Sequence, residues 1–307
     1  MVETLKFGTL KWYHIQNSTD DDMQFLQEEF YFHPLDIEDS QSSSSQRPKI
    51  DIYDNYYFLI FHYPQYDKSN KFLRVFETKI FWGSDYIITV GALHPEVKKM
   101  FDKAKETLQN PEIEDEEFMF GSSDQLLYQI MNTTIEMTYH LVKHFSRGID
   151  NINSALFDSN AEKTIENISV ARKNIILLNT IIVPQLRMFR KFESGQVEGF
   201  AENMEEYWGN LLDYMQKIDD MTEDYEELIE NLSKTFDFLQ ANSSNEIIKI
   251  LTFYSSILLP LTFVTGLFGM NVTLPLSNVN GAFYIIVGIM VLISISSIIF
   301  FKLKKWM

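Results

Sequence analysis

Apolar and polar positions change period twice along the chain. Up to about residue 121 they come in short blocks rich in aromatic and β-branched residues. Thr9–Ile15, Lys49–Tyr53, Tyr56–Tyr63, Phe72–Trp82 and Tyr86–Val90 read as strands. Between and after them, Asp20–Phe30 reads as a helix with cap candidates Ser18, Thr19 and Asp20. Asp39–Gln46 reads as a Ser-rich loop and Pro95–Gln109 as a second helix. From Ser122 the period is helical. Asp124–Phe157 and Ala161–Phe192 are two long stretches, and Pro184 is expected to kink or bound the second. A third carries Met204, Trp208, Leu211, Met215, Ile218, Tyr225, Ile229, Leu232, Phe236 and Leu239 on alternating steps of four and three, broken only at Thr222. That is a heptad seam, and packing is its ordinary use. Unbroken from Asn203 to Met270, the helix measures roughly 100 Å. Several copies around an axis are expected to bury its stripe.

The last period is continuous apolarity. The 19 residues Ile250–Phe268 and the 20 residues Ala282–Phe301 carry no charge. At ~1.5 Å per residue, each crosses a hydrocarbon core ~30 Å thick. The linker Met270–Gly281 holds Pro275 and several Asn, a turn composition. The predicted organisation is an α/β domain over 1–121, helices and a stalk over 122–244, and a transmembrane hairpin over 245–307 with spans near 247–270 and 282–302. The fold class is therefore α+β with long helices, ending in two membrane helices.

Charge sharpens the division. The chain has 26 basic and 43 acidic residues; four and one of these follow residue 244, which leaves a net of −20 before it. Such a surface repels nucleic acid and attracts cations. Cysteine is absent, which removes disulfides and thiolate metal sites. The first residues show no basic region followed by an apolar run, so no secretory signal is expected. Lys249, Lys302, Lys304 and Lys305 flank the spans while the linker has no Lys or Arg, which predicts both termini in the cytoplasm.

The run Asn245-Glu246-Ile247-Ile248-Lys249-Ile250-Leu251-Thr252, the stretch Leu259–Asn271 ending in Gly269-Met270-Asn271, and Lys304-Lys305-Trp306 resemble the CorA family of magnesium channels. His33-Pro34-Leu35-Asp36-Ile37-Glu38-Asp39 and Arg47–Asp54 look like the N-terminal domain of that family. The resemblance covers essentially the whole chain. It implies a homopentamer in the cell membrane, an α/β cytoplasmic funnel, a stalk helix that becomes the pore-lining span, and a second span facing lipid. It implies Mg²⁺ as the transported and regulatory ion, with Co²⁺ or Ni²⁺ as further cargo, and no organic cofactor.

Residue by residue, the resemblance makes Asn271 an outer ring of amides, with Gly269 and Met270 shaping the turn that presents it. Asn245 becomes a polar ring at the cytoplasmic mouth, Leu251 and Leu259 narrow the pore, and Thr262 and Gly266 face the axis. The chemistry suits the cargo. Mg²⁺ gives up water reluctantly, and neutral amide oxygens hydrogen-bond to its water shell without stripping it. Conduction requires such weak or multiple sites, and apolar rings close a pore by dewetting. A glycine lets membrane helices approach closely. Ser255, Ser256 and Thr265 are assigned to helix–helix hydrogen bonds. Zinc-transporting relatives usually replace the triplet Met with Val or Ile, so Met270 favours magnesium. One departure stands out: relatives commonly carry an acid after the loop proline, whereas Val272–Asn280 has none.

Other signals rank lower. Glu136, His140 and His144 share a helix face, but structural zinc takes four ligands and no Cys is available. Asp20-Asp21-Asp22 and Glu114-Asp115-Glu116-Glu117 read as solvated acidic faces. Asp219, Asp220, Glu223 and Asp224 are the candidate regulatory metal residues, because a divalent ion would relieve repulsion between carboxylates crowded across protomers. No phosphate loop or nucleophile motif is present, so catalysis has no support. The competing readings are a zinc transporter of the same superfamily and a membrane-anchored sensor or scaffold without a pore. Polar Asn245 and Asn271 bracketing the first span count against a mere anchor.

Overall fold

The computed structural model describes residues 2–42, 46–109, 120–156, 161–271 and 281–304. It divides into two units, Met1–Ser233 and Lys234–Met307.

The first unit is built on a mixed sheet of β1 (Glu3–Phe7), β2 (Leu10–Ile15), β3 (Lys49–Ile52), β4 (Tyr56–Asp67), β5 (Phe72–Gly83) and β6 (Tyr86–Gly91), in the order β1-β2-β6-β5-β4-β3. Only β2 and β6 run parallel, with Lys11 opposite Tyr86; every other neighbouring pair is antiparallel. β4 is buried almost without interruption from Tyr56 to Pro64, as expected of a strand covered on both faces. On one face, Phe58, Ile60, Phe81, Ile88 and Val90 pack with Met23, Leu26, Phe32 and Ile37. On the other, Tyr57 stacks on Trp82 and Phe61 meets Phe189 edge to face.

Helices α1 (Asp20–Phe30) and α2 (Pro34–Gln41) supply the first cover. Thr19 caps α1 in a reciprocal box with Asp22: its hydroxyl accepts from the Asp22 N–H at 3.2 Å, and the carboxylate accepts from the Thr19 N–H at 3.1 Å. Two elements differ from expectation. β1 is a strand not anticipated in the sequence. Asp39–Gln41, expected in a loop, complete α2, because Pro34 presets its first turn and His33 Nδ1 accepts from the Leu35 N–H at 3.3 Å. The remainder of that loop includes residues 43–45, which lie outside the described residues, as do Glu114–Glu117 and Phe157.

Helix α3 (Pro95–Gln109) has the bounds expected of it, and α4 (Ser123–Ala155) and α5 (Ala161–Glu193) are 33 residues each. Pro184 lies inside α5 and does not end it. Buried amides fasten α5 to the sheet. Asn174 Oδ1 accepts from the Leu73 N–H at 2.9 Å and its Nδ2 donates to Lys71 O at 3.0 Å; Gln185 Oε1 accepts from the His62 N–H at 2.9 Å.

Helix α6 (Glu205–Phe268) runs 64 residues, about 95 Å. Its seam does not wait for other copies of the chain. Met204, Trp208, Leu211, Met215, Ile218, Thr222, Ile229 and Leu232 are all buried within a single chain. The cover comes from α4 and α5, each about 50 Å long: Trp208 packs on Phe192 at 4.9 Å, the Tyr128 hydroxyl accepts from Asn210 Nδ2 at 2.9 Å, and Asn179 Nδ2 donates to Glu226 Oε2 at 2.7 Å. Thr222, the one polar step, satisfies itself by donating to Ile218 O at 2.6 Å.

In the second unit, α6 continues into its uncharged part and is followed by α7 (Ala282–Leu303). Both helices are long and apolar enough to cross a membrane, and neither apolar stretch is buried.

Candidate ion pathway

The end of α6 explains why glycine precedes the exposed dipeptide. The last turn closes with the Gly269 N–H donating to Thr265 O at 2.9 Å and the Met270 N–H donating to Leu267 O at 3.4 Å. A Cβ at Gly269 would stand 3.0 Å from that same Thr265 carbonyl, tighter than an ordinary contact. Met270 is 55% exposed and Asn271 is exposed, so the amide has no competing partner among the described residues.

At about 100° per residue, Leu251, Ser255, Leu259, Thr262 and Gly266 fall within about 80° of one another on α6. This face is open. Leu251 and Leu259 are 66% and 68% exposed, and nothing lies within 4 Å of a Cβ placed on Gly266. The other span packs elsewhere. Phe253 meets Phe301 of α7 at 5.4 Å, and Phe253, Ser256, Ile257, Pro260 and Val264, on the opposite side, are half-buried. Asn245 stands at the edge of the open face, about 40° from Leu259.

Two hydroxyls on this stretch are satisfied locally. Thr262 donates to Leu258 O at 2.8 Å. Thr265, expected to bond to another helix, donates to Thr262 O at 3.0 Å. Each oxygen keeps lone pairs for a further donor such as water. A strip of small and hydroxyl-bearing side chains is thereby wettable at low cost, within a helix otherwise suited to hydrocarbon. Ser255, assigned in sequence to helix contacts, is half-buried, and its spacing of four from Leu251 and Leu259 puts it on the same side of α6 as those two leucines. The loop Val272–Asn280, with Pro275, and the terminal Lys305 and Trp306 lie outside the described residues.

The acidic candidates sit on α6 far upstream. Asp219, Asp220, Glu223 and Asp224 spread over about 140° of the helix, and Asp220, Glu223 and Asp224 are exposed. Burial and the neighbouring Asp220 charge raise the Asp219 pKa, with Arg190 opposing them. Among the described residues, no group of three or more His, Cys, Asp or Glu side chains is gathered to hold a metal. Glu136 and His140 form only an exposed 3.7 Å pair.

Comparison with known proteins gives this geometry a context. The chain is 23% identical over 289 residues to the cobalt/magnesium transport protein CorA of Thermotoga maritima, covering 94% of this chain and 80% of the relative. The complete structure of the CorA magnesium transporter from Methanocaldococcus jannaschii superposes with a TM-score of 0.80 at 18% identity, covering 99% of this chain and 93% of the other. The ZntB cytoplasmic domain from Vibrio parahaemolyticus superposes with a TM-score of 0.59 at 16% identity, over 76% of this chain and 88% of that domain. Residues 7–304 match the family described as CorA-like Mg²⁺ transporter protein. With a mixed sheet, long helices and two membrane-length spans in place over that whole range, the chain belongs to the CorA-like Mg²⁺ transporter family, whose members are divalent-metal transporters and not enzymes.

Proposed function

We propose that five copies of the chain surround a pore lined by the open face of α6 and conduct hydrated Mg²⁺ across the cell membrane, with both termini in the cytoplasm. The observation that carries this reading is the side of α6 that α7 leaves free. Phe253 takes the contact with Phe301, while on the Leu251-to-Gly266 face, the one that a pore requires, Leu251, Leu259 and Gly266 are uncovered among the described residues. A purely lipid-facing helix has no use for Ser255, Thr262 and Gly266 on one strip. Asn271 then stands in a ring of amides at the outer end, where neutral oxygens hydrogen-bond to the ion's water and let it leave. Leu251 and Leu259 supply the apolar constrictions, and Asn245 the inner polar ring.

Replacing Asn271 with Ala removes the acceptors without disturbing any hydrogen bond of α6. Mg²⁺ uptake into proteoliposomes should be abolished while assembly is kept; wild-type flux through an assembled Asn271→Ala pentamer would falsify the role of the amide ring.

Regulation rests on charge. The −20 of the first 244 residues makes close approach of protomers costly, and a divalent ion among Asp219, Asp220, Glu223 and Asp224 of neighbouring copies lowers that cost. Mg²⁺ at millimolar concentration should raise the thermal midpoint and protease resistance of the assembled protein. Equal values in Mg²⁺ and in EDTA would sink the idea.

A further inference from the structure

A cleft of about 750 Å³ opens in the first unit between the strand β3 and helix α5, with Glu226 of α6 on its rim. That volume lies in the range of small-molecule sites. β3 is the edge of the sheet, so a groove here is built by the fold itself. Its lining is opposite in sign to the rest of the domain. Arg47, Lys49, Arg187 and Lys191 face a single carboxylate, Glu226, in a region whose net charge is −20.

The four cations are not equivalent. Lys49 is held by Asp39 at 2.9 Å and Asp51 at 2.5 Å, and those partners raise its pKa despite burial. Lys191 reaches the Ile50 carbonyl on the sheet edge at 3.5 Å. Arg47 and Arg187 are exposed and have no carboxylate partner among the described residues. Glu226 accepts from the Asn179 amide at 2.7 Å and remains the one acid of the lining. Guanidinium forks match phosphate oxygens bidentately and are the side chains best suited to them.

The rest of the lining is mixed: Ile176, Val183, Pro184 and Met188 are apolar on the helix side, with Ile176 52% exposed, and Asn179 and Thr180 are polar. Pro184 has no N–H, so the Thr180 carbonyl in the same wall lacks its usual helical donor and is available as an acceptor. Guanidiniums without an ion-pair partner among the described residues, beside apolar side chains and a backbone acceptor, form a site for a molecule with an anionic end and an aromatic, hydrogen-bond-donating end. We propose that this cleft binds a nucleoside polyphosphate, its phosphates on Arg47 and Arg187 and its base against the Ile176–Met188 wall.

The test uses the full-length protein in detergent micelles, with ATP titrated at constant free Mg²⁺ and binding read by calorimetry. Holding free Mg²⁺ constant separates the cleft from any effect of chelation, and the readout does not depend on transport. Saturable binding of ATP is expected, with Arg47→Ala and Arg187→Ala each weakening it at least tenfold. Both residues are exposed, so folding is kept, and circular dichroism checks it. Lys99→Ala, exposed and outside the cleft, should bind as wild type. Tripolyphosphate should bind several-fold more weakly than ATP. No saturable ATP binding up to millimolar concentration would overturn the assignment, as would an Arg47→Ala/Arg187→Ala double variant that binds like wild type. Tripolyphosphate binding as tightly as ATP would overturn the nucleotide assignment by leaving the apolar wall without a role.

Discussion

The two halves of α6 solve the burial problem in opposite ways. Between Met204 and Leu232 the helix has one apolar seam, and the chain covers it with α4 and α5. Between Ile250 and Phe268 it is apolar all round, and among the described residues the cover from α7 falls on the Phe253 side. A stripe calls for neighbours in water, whereas continuous apolarity calls for lipid. The small and polar strip inside the second half calls for neither. It is the residue of the pattern that burial alone does not explain, and so it is where function is read.

The sharpest contrast between the halves is stability. Trp208 is 2% exposed and packs on Phe192 at 4.9 Å and Trp82 at 5.9 Å. Trp208→Ala should cost about 3–5 kcal/mol, as cavity-forming aromatic deletions do. Leu259→Ala should leave the melting of the cytoplasmic unit within about 0.5 kcal/mol of wild type. Thermal unfolding followed by circular dichroism compares them, and similar losses would remove the distinction.

The covered half also depends on a close approach beside Trp82. Gly199 has φ +79°, and a Cβ there would collide with Asp124 Oδ1 and stand 3.2 Å from Trp82. Asp124 needs that proximity, since it accepts from the Phe200 N–H at 2.8 Å. Gly199→Ala combines left-handed strain with overpacking and should cost about 3 kcal/mol. An unchanged midpoint would show that the loop moves freely away from Trp82.

Acid should act on the first unit and leave the pathway alone. Burial pulls the His14 pKa down to about 4, against about 6.5 when unfolded. The unfolded chain therefore takes up the proton first. As pH falls from 6.5 to 4, up to ~3 kcal/mol of stability is lost, and above 6.5 the group contributes no pH dependence. Glu77 acts lower. Despite its burial, hydrogen bonds from His62 and Lys79 hold its pKa near 2, so its contribution is present above about 4.5 and lost from there down to 2. His14→Gln should lessen the fall of the denaturant midpoint between pH 6.5 and 4, where His94, its pKa also lowered by burial, still contributes, and should keep the fall below it. Residues 250–268 carry no acid, base or histidine. A small effect is also expected at Gly266, where an added Cβ meets nothing within 4 Å among the described residues; Gly266→Ala should change stability by no more than ~1 kcal/mol, measured by the same melts.

Much of this arrangement is legible in the sequence. The heptad steps mark the residues that become buried, and two uncharged stretches mark the spans. Partner choice is not legible. A 4-3 repeat looks the same whether it packs on another copy or on the chain's own α4 and α5, which is why the seam through Trp208 was expected between protomers. α2 hid behind serines because its nucleus is a capping residue and Pro34, with no strong apolar period. A helix apolar all round gives no period from which to choose a side; Leu251, Leu259, Thr262 and Gly266 are named through the family resemblance alone, and the Phe253–Phe301 contact is what the structure adds on the opposite side. The basic cleft draws on residues more than a hundred positions apart, Arg47 and Arg187, which only the docking of α5 on the sheet edge brings together.

The absence of cysteine gives the most direct test of the pathway. Single cysteines placed from residue 247 to 268 in the membrane-reconstituted protein are treated with a charged, water-soluble thiol reagent, and block of Mg²⁺ uptake is followed. Labelling and block should repeat with helical period on Leu251, Ser255, Leu259, Thr262 and Gly266, and should spare Phe253, Ile257 and Val264. Uniform protection, or labelling centred on the Phe253 side, would contradict the claim that the face left open by α7 lines a water-filled pore.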